Sequence, residues 1–214
     1  MDQTMEGKVA VVTGASRGIG KAIAVKLASK GATVVINYNG SRERAEEVKN
    51  EVESAGGKAV IIQCNVADFD ACKEFIETVI KEQGRIDILV NNAGITKDGL
   101  IMKMKEEDFD SVLNVNMKGT LNTIRHSARQ MLKQRSGKII NISSMWGRVG
   151  ASCEAAYSAS KGAVNSLTKA LAKELAPSHI SVNGVSFGVI DTDMNRCFDE
   201  EERASLAEEI PYGR

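Results

Sequence analysis

The stretch Val9-Ala10-Val11-Val12-Thr13-Gly14-Ala15-Ser16-Arg17-Gly18-Ile19-Gly20-Lys21 decides the fold. Four apolar residues read as a strand buried on both faces, and a helical pattern from Lys21 to Lys30 follows the turn directly. Gly14 and Gly18 let the backbone turn and come close to a pyrophosphate, and Gly20 lets the helix pack on the strand. The helix N-terminus adds free N–H groups and a partial positive charge. A glycine turn of purely structural kind is the alternative, and the strand before it and the helix after it argue against that.

Working outward, the same alternation runs to the end of the chain. Thr33–Tyr38, Ala59–Val66, Asp87–Val90, Lys138–Ser143 and Ile180–Val185 are Val- and Ile-rich runs. Between them lie segments charged on one face, such as Ser41–Ser54 and Phe69–Gln83, with Gly31 and Gly84 at expected helix ends. Strict strand–helix alternation predicts an α/β, Rossmann-type doubly wound parallel sheet with helices on both faces. No internal repeat or linker interrupts it, so residues 1–214 are expected to form a single dinucleotide-binding and catalytic domain.

Composition removes several function classes. Lys plus Arg and Asp plus Glu are 28 each, so no excess of basic charge exists to displace counterions from a nucleic acid. No apolar run approaches the roughly 18 residues of a membrane span, and Met1–Lys8 lacks the apolar stretch of a secretory signal. The expectation is a cytoplasmic protein with neither a membrane nor a nucleic-acid partner. Cys64, Cys72, Cys153 and Cys197 are scattered, and His126 and His179 have no Cys or carboxylate pair beside them. Reduced thiols are expected, and neither a metal site nor a Ser-His-Asp triad has its parts.

In a doubly wound sheet the ligand lies beyond the C-terminal ends of the strands. The second strand ends in Asn37-Tyr38-Asn39-Gly40-Ser41-Arg42, without the acid that would hold the adenosine ribose of NAD. Arg17 and Arg42 are cations within reach of a 2′-phosphate, which favours NADP(H); solvated surface arginines are the alternative. Further along, Tyr157-Ser158-Ala159-Ser160-Lys161 opens a helical pattern to about Ala176. Its i, i+4 spacing places the Tyr hydroxyl and Lys ammonium on one face. Ser144 stands at the end of the fifth strand, where it meets the same crevice.

These motifs, with Asn91-Asn92-Ala93-Gly94 and Asn114-Val115-Asn116, resemble those of the short-chain dehydrogenase/reductase family over about residues 6–214. Ser144 precedes Tyr157 by the offset the family uses. The resemblance implies hydride transfer between nicotinamide C4 and a carbonyl or carbinol carbon. It makes Tyr157 the general acid and Ser144 the hydrogen-bond donor to the reacting oxygen. Lys161 would lower the Tyr157 pKa and hold the nicotinamide ribose, and Asn116 would hold a water that relays protons. The cofactor would be bound by Gly14, Ser16, Arg17, Gly18, Ile19, Gly20, Asn37, Tyr38, Asn65, Val66, Asn92, Ala93, Gly94, Tyr157, Lys161 and Ile190.

Within the family, Asn91–Met104, reading NNAGITKDGLIMKM, is similar to bacterial 3-oxoacyl-[acyl-carrier-protein] reductases. That implies reduction of a 3-oxoacyl thioester in fatty acid biosynthesis, with acyl carrier protein as partner. A small ketone, a steroid-like alcohol or a ketone on modified elongation factor P is the second reading, and a non-catalytic scaffold the third. Arg135 matches one basic carrier-docking position, with Arg129, Lys133 and Arg148 near it in the reading; Ser178 stands at the other. Asn65 replaces the usual Asp, and Ser186-Phe187-Gly188 replaces a Pro-Gly turn. Phe187 restacks the nicotinamide face or fills core. Trp146 narrows the pocket or is core, and Cys153 is expected to be inert. A homotetramer is implied, with one interface on Val112–Arg135 and Tyr157–Ala176. The C-terminal helix and last strand of relatives are not expected within this sequence, in which case a dimer is implied.

Overall fold

A computed structural model describes residues 4–193 together with 201, 204, 207 and 208. Cys197 and the segment 209–214 lie outside the described residues. Strands β1 (Val9–Val12), β2 (Thr33–Tyr38), β3 (Lys58–Gln63), β4 (Ile88–Asn91), β5 (Gly137–Ser144) and β6 (Ile180–Phe187) form one sheet in the order β3-β2-β1-β4-β5-β6. All neighbours are parallel, with Val11 paired to Val35 on one side and to Leu89 on the other. The predicted doubly wound sheet is therefore present.

Period-two alternation explains the continuous apolar runs. Val9 and Val11 of β1 join Val35, Leu89 and Ile139 in one core, with Phe75, Ile76 and Val79 of α3 (Phe69–Gln83). Ala10 and Val12 point the other way, to Val34, Ile36 and Val90 and to Ala24 and Ala28 of α1 (Gly18–Ser29). Val48 and Val52 of α2 (Arg42–Ser54) complete that second core. Each strand thus serves two helical layers. On the edge strand β6, Ser181, Asn183 and Val185 are exposed while Ile180 and Val182 are buried, so one face of this strand is open among the described residues.

Boundaries moved where long-range pairing set them. The third strand stops at Gln63, three residues before the predicted Val66, because Cys64 N–H bonds the Tyr38 carbonyl and the chain then leaves the sheet. Asp87 is not a strand residue: its carboxylate accepts from Arg85 Nε and Nη2, at 2.7 and 2.6 Å, and from the Val9 N–H at 3.0 Å. Gly84 caps α3 in the left-handed region, whereas α1 ends on Lys30 with Gly31 just beyond it.

The predicted helix near Val112–Arg135 is a composite. Helix α4 (Glu106–Leu113) runs through a π-helical turn, Asn114–Lys118, into α5 (Gly119–Gln134). A one-turn helix α6 (Trp146–Val149) precedes the long α7 (Ala155–Leu175). Strand order reverses at β1, which lies between β2 and β4. The crevice above the C-terminal ends of β1 and β4 is consequently the place a ligand enters.

Candidate active site

The glycine loop begins at Thr13, whose hydroxyl accepts the Asn92 and Ala93 N–H groups at 2.9 and 3.0 Å. Asn92 returns the contact, its amide donating to the Thr13 and Gly14 carbonyls at 2.9 and 3.1 Å. Gly14 has φ +61°, and a Cβ there would lie 2.9 Å from Ala93 Cα. A Cβ on Gly20 would meet the Gly14 carbonyl oxygen at 2.6 Å. The loops after β1 and β4 are therefore locked together at the crevice, with Ser16 half-buried on the loop and Ile19 in the first turn of α1.

Arg17 occupies the N-cap of α1 without a capping side-chain bond, and no acid stands in the first turn. The terminus keeps its positive end for an anion, so these residues fit the pyrophosphate of a dinucleotide. Asn37 proves to be a structural member of this wall. Its Oδ1 accepts the Gly14 N–H at 3.2 Å and its amide nitrogen reaches the Cys64 carbonyl at 3.1 Å, in a fully buried position. Tyr38 is buried beside it. Asn65 forms a local turn to Ala67 N–H at 3.1 Å, and the Val66 carbonyl is held by Asn122 at 3.0 Å.

The two cations expected near a 2′-phosphate differ in placement. Arg17 lies 4.0 Å from Asp193, whereas Arg42 turns to Glu46 at 3.4 Å along its own helix. Arg44, which the sequence reading passed over, meets Asp193 at 3.0 Å. Arg17 and Arg44 thus converge on one carboxylate above the glycine loop, beside Thr192, which lies against Gly18. Ile190, two residues earlier, is exposed and lines an apolar groove with Phe187 and α1.

At the end of β5, Ser144 is buried and its hydroxyl accepts the Trp146 N–H at 3.2 Å. The Tyr157 phenol is pushed up by burial above all, is drawn down by the Ser144 hydrogen bond, and is raised further by the Glu154 charge. Lys161 Nζ sits 5.5 Å from the centre of the Tyr157 ring and donates to the Ile142 carbonyl at 2.8 Å. Burial alone draws the Lys161 ammonium down to about 8. A desolvated ammonium spent on a carbonyl does little for the phenol in this geometry, and it is Ser144 that lowers it.

Asn116 is brought to the same place by the π turn, a device common at functional sites. Its side chain accepts from Ile95 N–H at 2.8 Å and donates to Ser160 Oγ at 2.9 Å, while its carbonyl takes the Thr120 hydroxyl at 2.8 Å. The structure therefore unites Ser144, Tyr157, Lys161 and Asn116 from β5, α7 and the π turn, next to Gly94, whose Cα faces both Asn116 and Lys161. A hydroxyl pair for an oxygen and a buried ammonium beneath a dinucleotide loop can polarise a carbonyl and protonate an alkoxide.

The sequence profile of the short chain dehydrogenase family matches residues 8–203. The chain belongs to this family. A 3-oxoacyl-[acyl-carrier-protein] reductase of Staphylococcus aureus (strain Mu50) is 48% identical over 207 residues, 97% of this chain and 84% of the relative. The corresponding reductase of Thermotoga maritima is 45% identical over 210 residues, covering 98% and 85%. Among solved structures, a dehydrogenase/reductase from Sinorhizobium meliloti 1021 matches with TM-score 0.92 and 39% identity, covering 99% and 83%.

As a short-chain dehydrogenase, the chain holds features that local spacing did not reveal. Thr96 and Glu154 bond at 2.7 Å across 58 residues, and the buried amides Asn91 and Asn141 bond at 2.9 Å. Phe187 packs against the second core, and its carbonyl accepts the Met145 N–H at 2.8 Å. Trp146 is half-buried in α6. Cys153 is exposed with φ +64°, and Cys64 and Cys72 are buried with their sulfurs 3.9 Å apart. Among the described residues no group of three His, Cys, Asp or Glu could hold a metal, and no helix is long and apolar enough to cross a membrane.

Proposed function

We propose that this chain is an NADPH-dependent reductase of 3-oxoacyl thioesters carried on acyl carrier protein, acting in cytoplasmic fatty acid biosynthesis. The observation that carries the reading is the convergence of Ser144, Tyr157 and Lys161 above β5, in a chain that shares 48% identity with a reductase of that name. NADPH, when bound, supplies the hydride. Ser144 and Tyr157 hold the substrate oxygen between two hydroxyls, and Tyr157 gives up its proton as negative charge develops there. Buried Lys161 would hold the nicotinamide ribose, Ser144 stabilises the phenolate that remains, and Asn116 fixes the floor of the site through Ile95 and Ser160.

Docking of an acidic carrier protein is supported by exposed Arg129, Lys133 and Arg135 at the C-terminal end of α5, with exposed Arg148 on α6. Leu121 and Leu132 are 41% and 43% exposed on α5, which supports a homo-oligomer built on that helix. The experiment is NADPH oxidation with acetoacetyl-carrier protein, acetoacetyl-CoA and a panel of plain ketones. Turnover with the carrier-bound substrate well above the rest is expected. NADPH binding without oxidation of any of them would refute catalysis, and a preference for plain ketones would move the substrate class.

A further inference from the structure

Thr96, in the loop after β4, places its Oγ1 2.6 Å from Asp98 Oδ1 and 2.7 Å from Glu154 Oε2. A threonine hydroxyl has one proton, so it can donate to only one of these two oxygens. At the second short contact the carboxyl group must be the donor, and it must therefore hold a proton. Glu154 is the group that holds it. Burial raises its pKa first, the Thr96 bond opposes that, and the neighbouring Asp98 carboxylate adds to the rise.

The trio sits at a joint. Glu154 is the residue before α7, three positions from Tyr157, and Gly99 N–H bonds the Cys153 carbonyl at 2.8 Å, tying the same two segments through the backbone. The charged and titratable groups that face Glu154 are Asp98 from the loop and Tyr157 from α7, while Lys97 is directed to Asp108 at 3.3 Å.

We propose that Asp98 and Glu154 share one proton across Thr96, and that this trio is a positioning group that sets both the closure of the joint and the negative charge facing Tyr157. With the proton in place two hydrogen bonds close the joint and Glu154 is neutral. Without it one bond opens, and the Glu154 carboxylate charge faces Tyr157. During reduction the Tyr157 O–H bond breaks, its proton passes to the substrate oxygen and the electron pair stays on the phenolate. The Glu154 carboxylate opposes that step, so reduction slows as pH rises through its ionisation. The effect at Tyr157 rests on the reductase reading; the shared proton does not.

The test uses Glu154→Gln, whose amide donates to Thr96 as the protonated acid does and cannot ionise, and Thr96→Val, which removes the bridge. A 13C titration of glutamate carboxyl groups needs no substrate. Glu154, assigned by its loss in E154Q, is expected to titrate above an ordinary glutamate, and higher still in T96V, where the bond that opposes the rise is gone. In kcat against pH for NADPH oxidation, the parent is expected to lose roughly fivefold through the same midpoint, a limb absent from E154Q. An ordinary Glu154 titration overturns the shared proton. A raised titration with superimposable pH–rate profiles overturns the coupling to Tyr157. A raised titration in an enzyme inactive on every ketone bears out the shared proton and sinks the reductase reading alone.

Discussion

Lys161 Nζ donates to the Ile142 carbonyl at 2.8 Å, joining α7 to β5 in a place where Lys161 is only 4% exposed. One neutral acceptor does not replace the water an ammonium loses, so charge at Lys161 is a cost to the fold.

That cost fixes a pH dependence. Lys161 releases its proton near pH 8 in the folded protein against 10.5 for the ordinary side chain. Between those values the unfolded chain binds more protons, so folding stability rises with pH across the window, by roughly 2 kcal/mol by pH 10. Lys161→Met is expected to be more stable than the parent at pH 7, and the gap should close towards pH 10. Urea unfolding of both proteins at the two pH values measures it. A gap that stays constant would show that Lys161 is not carrying the penalty.

Tyr157→Phe keeps the ring against Lys161 and removes only the hydroxyl. Turnover is expected to fall by about 10² to 10⁴, the range for loss of a positioned acid, with NADPH affinity retained in a fluorescence titration. Ser144→Ala removes the bond that draws the phenol down. In the oxidative direction, where the phenolate is the active form, its rate profile should shift to higher pH. A mutant Tyr157→Phe that retains most of its rate would end the acid assignment.

The parts of the site that spacing can carry are those built within one turn or one loop. Thr13–Gly20 lies between a strand and a helix, and Tyr157 and Lys161 are four apart on one helix, so their joint position follows from period alone. Pairs separated by long stretches of chain had no such signal. Arg44 finds Asp193 across 149 residues, and Thr96 finds Glu154 across 58. Arg42 has the same chemistry as Arg44 and lies nearer the strand, yet the helix turns it to Glu46. Asn37 has the position of a cofactor ligand, but burial requires its amide to satisfy main-chain groups. The π turn at Asn114–Lys118 depends on side-chain bonds such as Thr120 to the Asn116 carbonyl, which a helical period does not encode.

A buried polar ladder links the catalytic helix to the sheet. Thr123 donates to Asn91 at 2.6 Å, Asn91 to Asn141 at 2.9 Å, and Asn141 to Thr168 of α7 at 2.9 Å. Asn141 is fully buried, so Asn141→Leu leaves two polar partners in apolar surroundings and is expected to destabilise by about 2–3 kcal/mol. A lower urea midpoint at unchanged slope would register this. A midpoint within error of the parent would mean the partners find other bonds.

Asp193 accepts Arg44 at 3.0 Å and lies 4.0 Å from Arg17, with both guanidinium groups about half exposed. Exposed pairs of this kind add little to stability. On the proposed NADPH reading, their value lies in holding two planar cations at the N-terminal ends of α1 and α2, where a 2′-phosphate would gain bidentate bonds and a ribose hydroxyl would not. Arg17→Ala and Arg44→Ala are each expected to lower kcat/KM for NADPH about tenfold while leaving NADH nearly unchanged. The NADPH effect should weaken at high salt, as partly exposed charge pairs do. Steady-state rates with both cofactors settle the matter, since a solvated surface role for these arginines would leave the NADPH to NADH ratio where the parent has it.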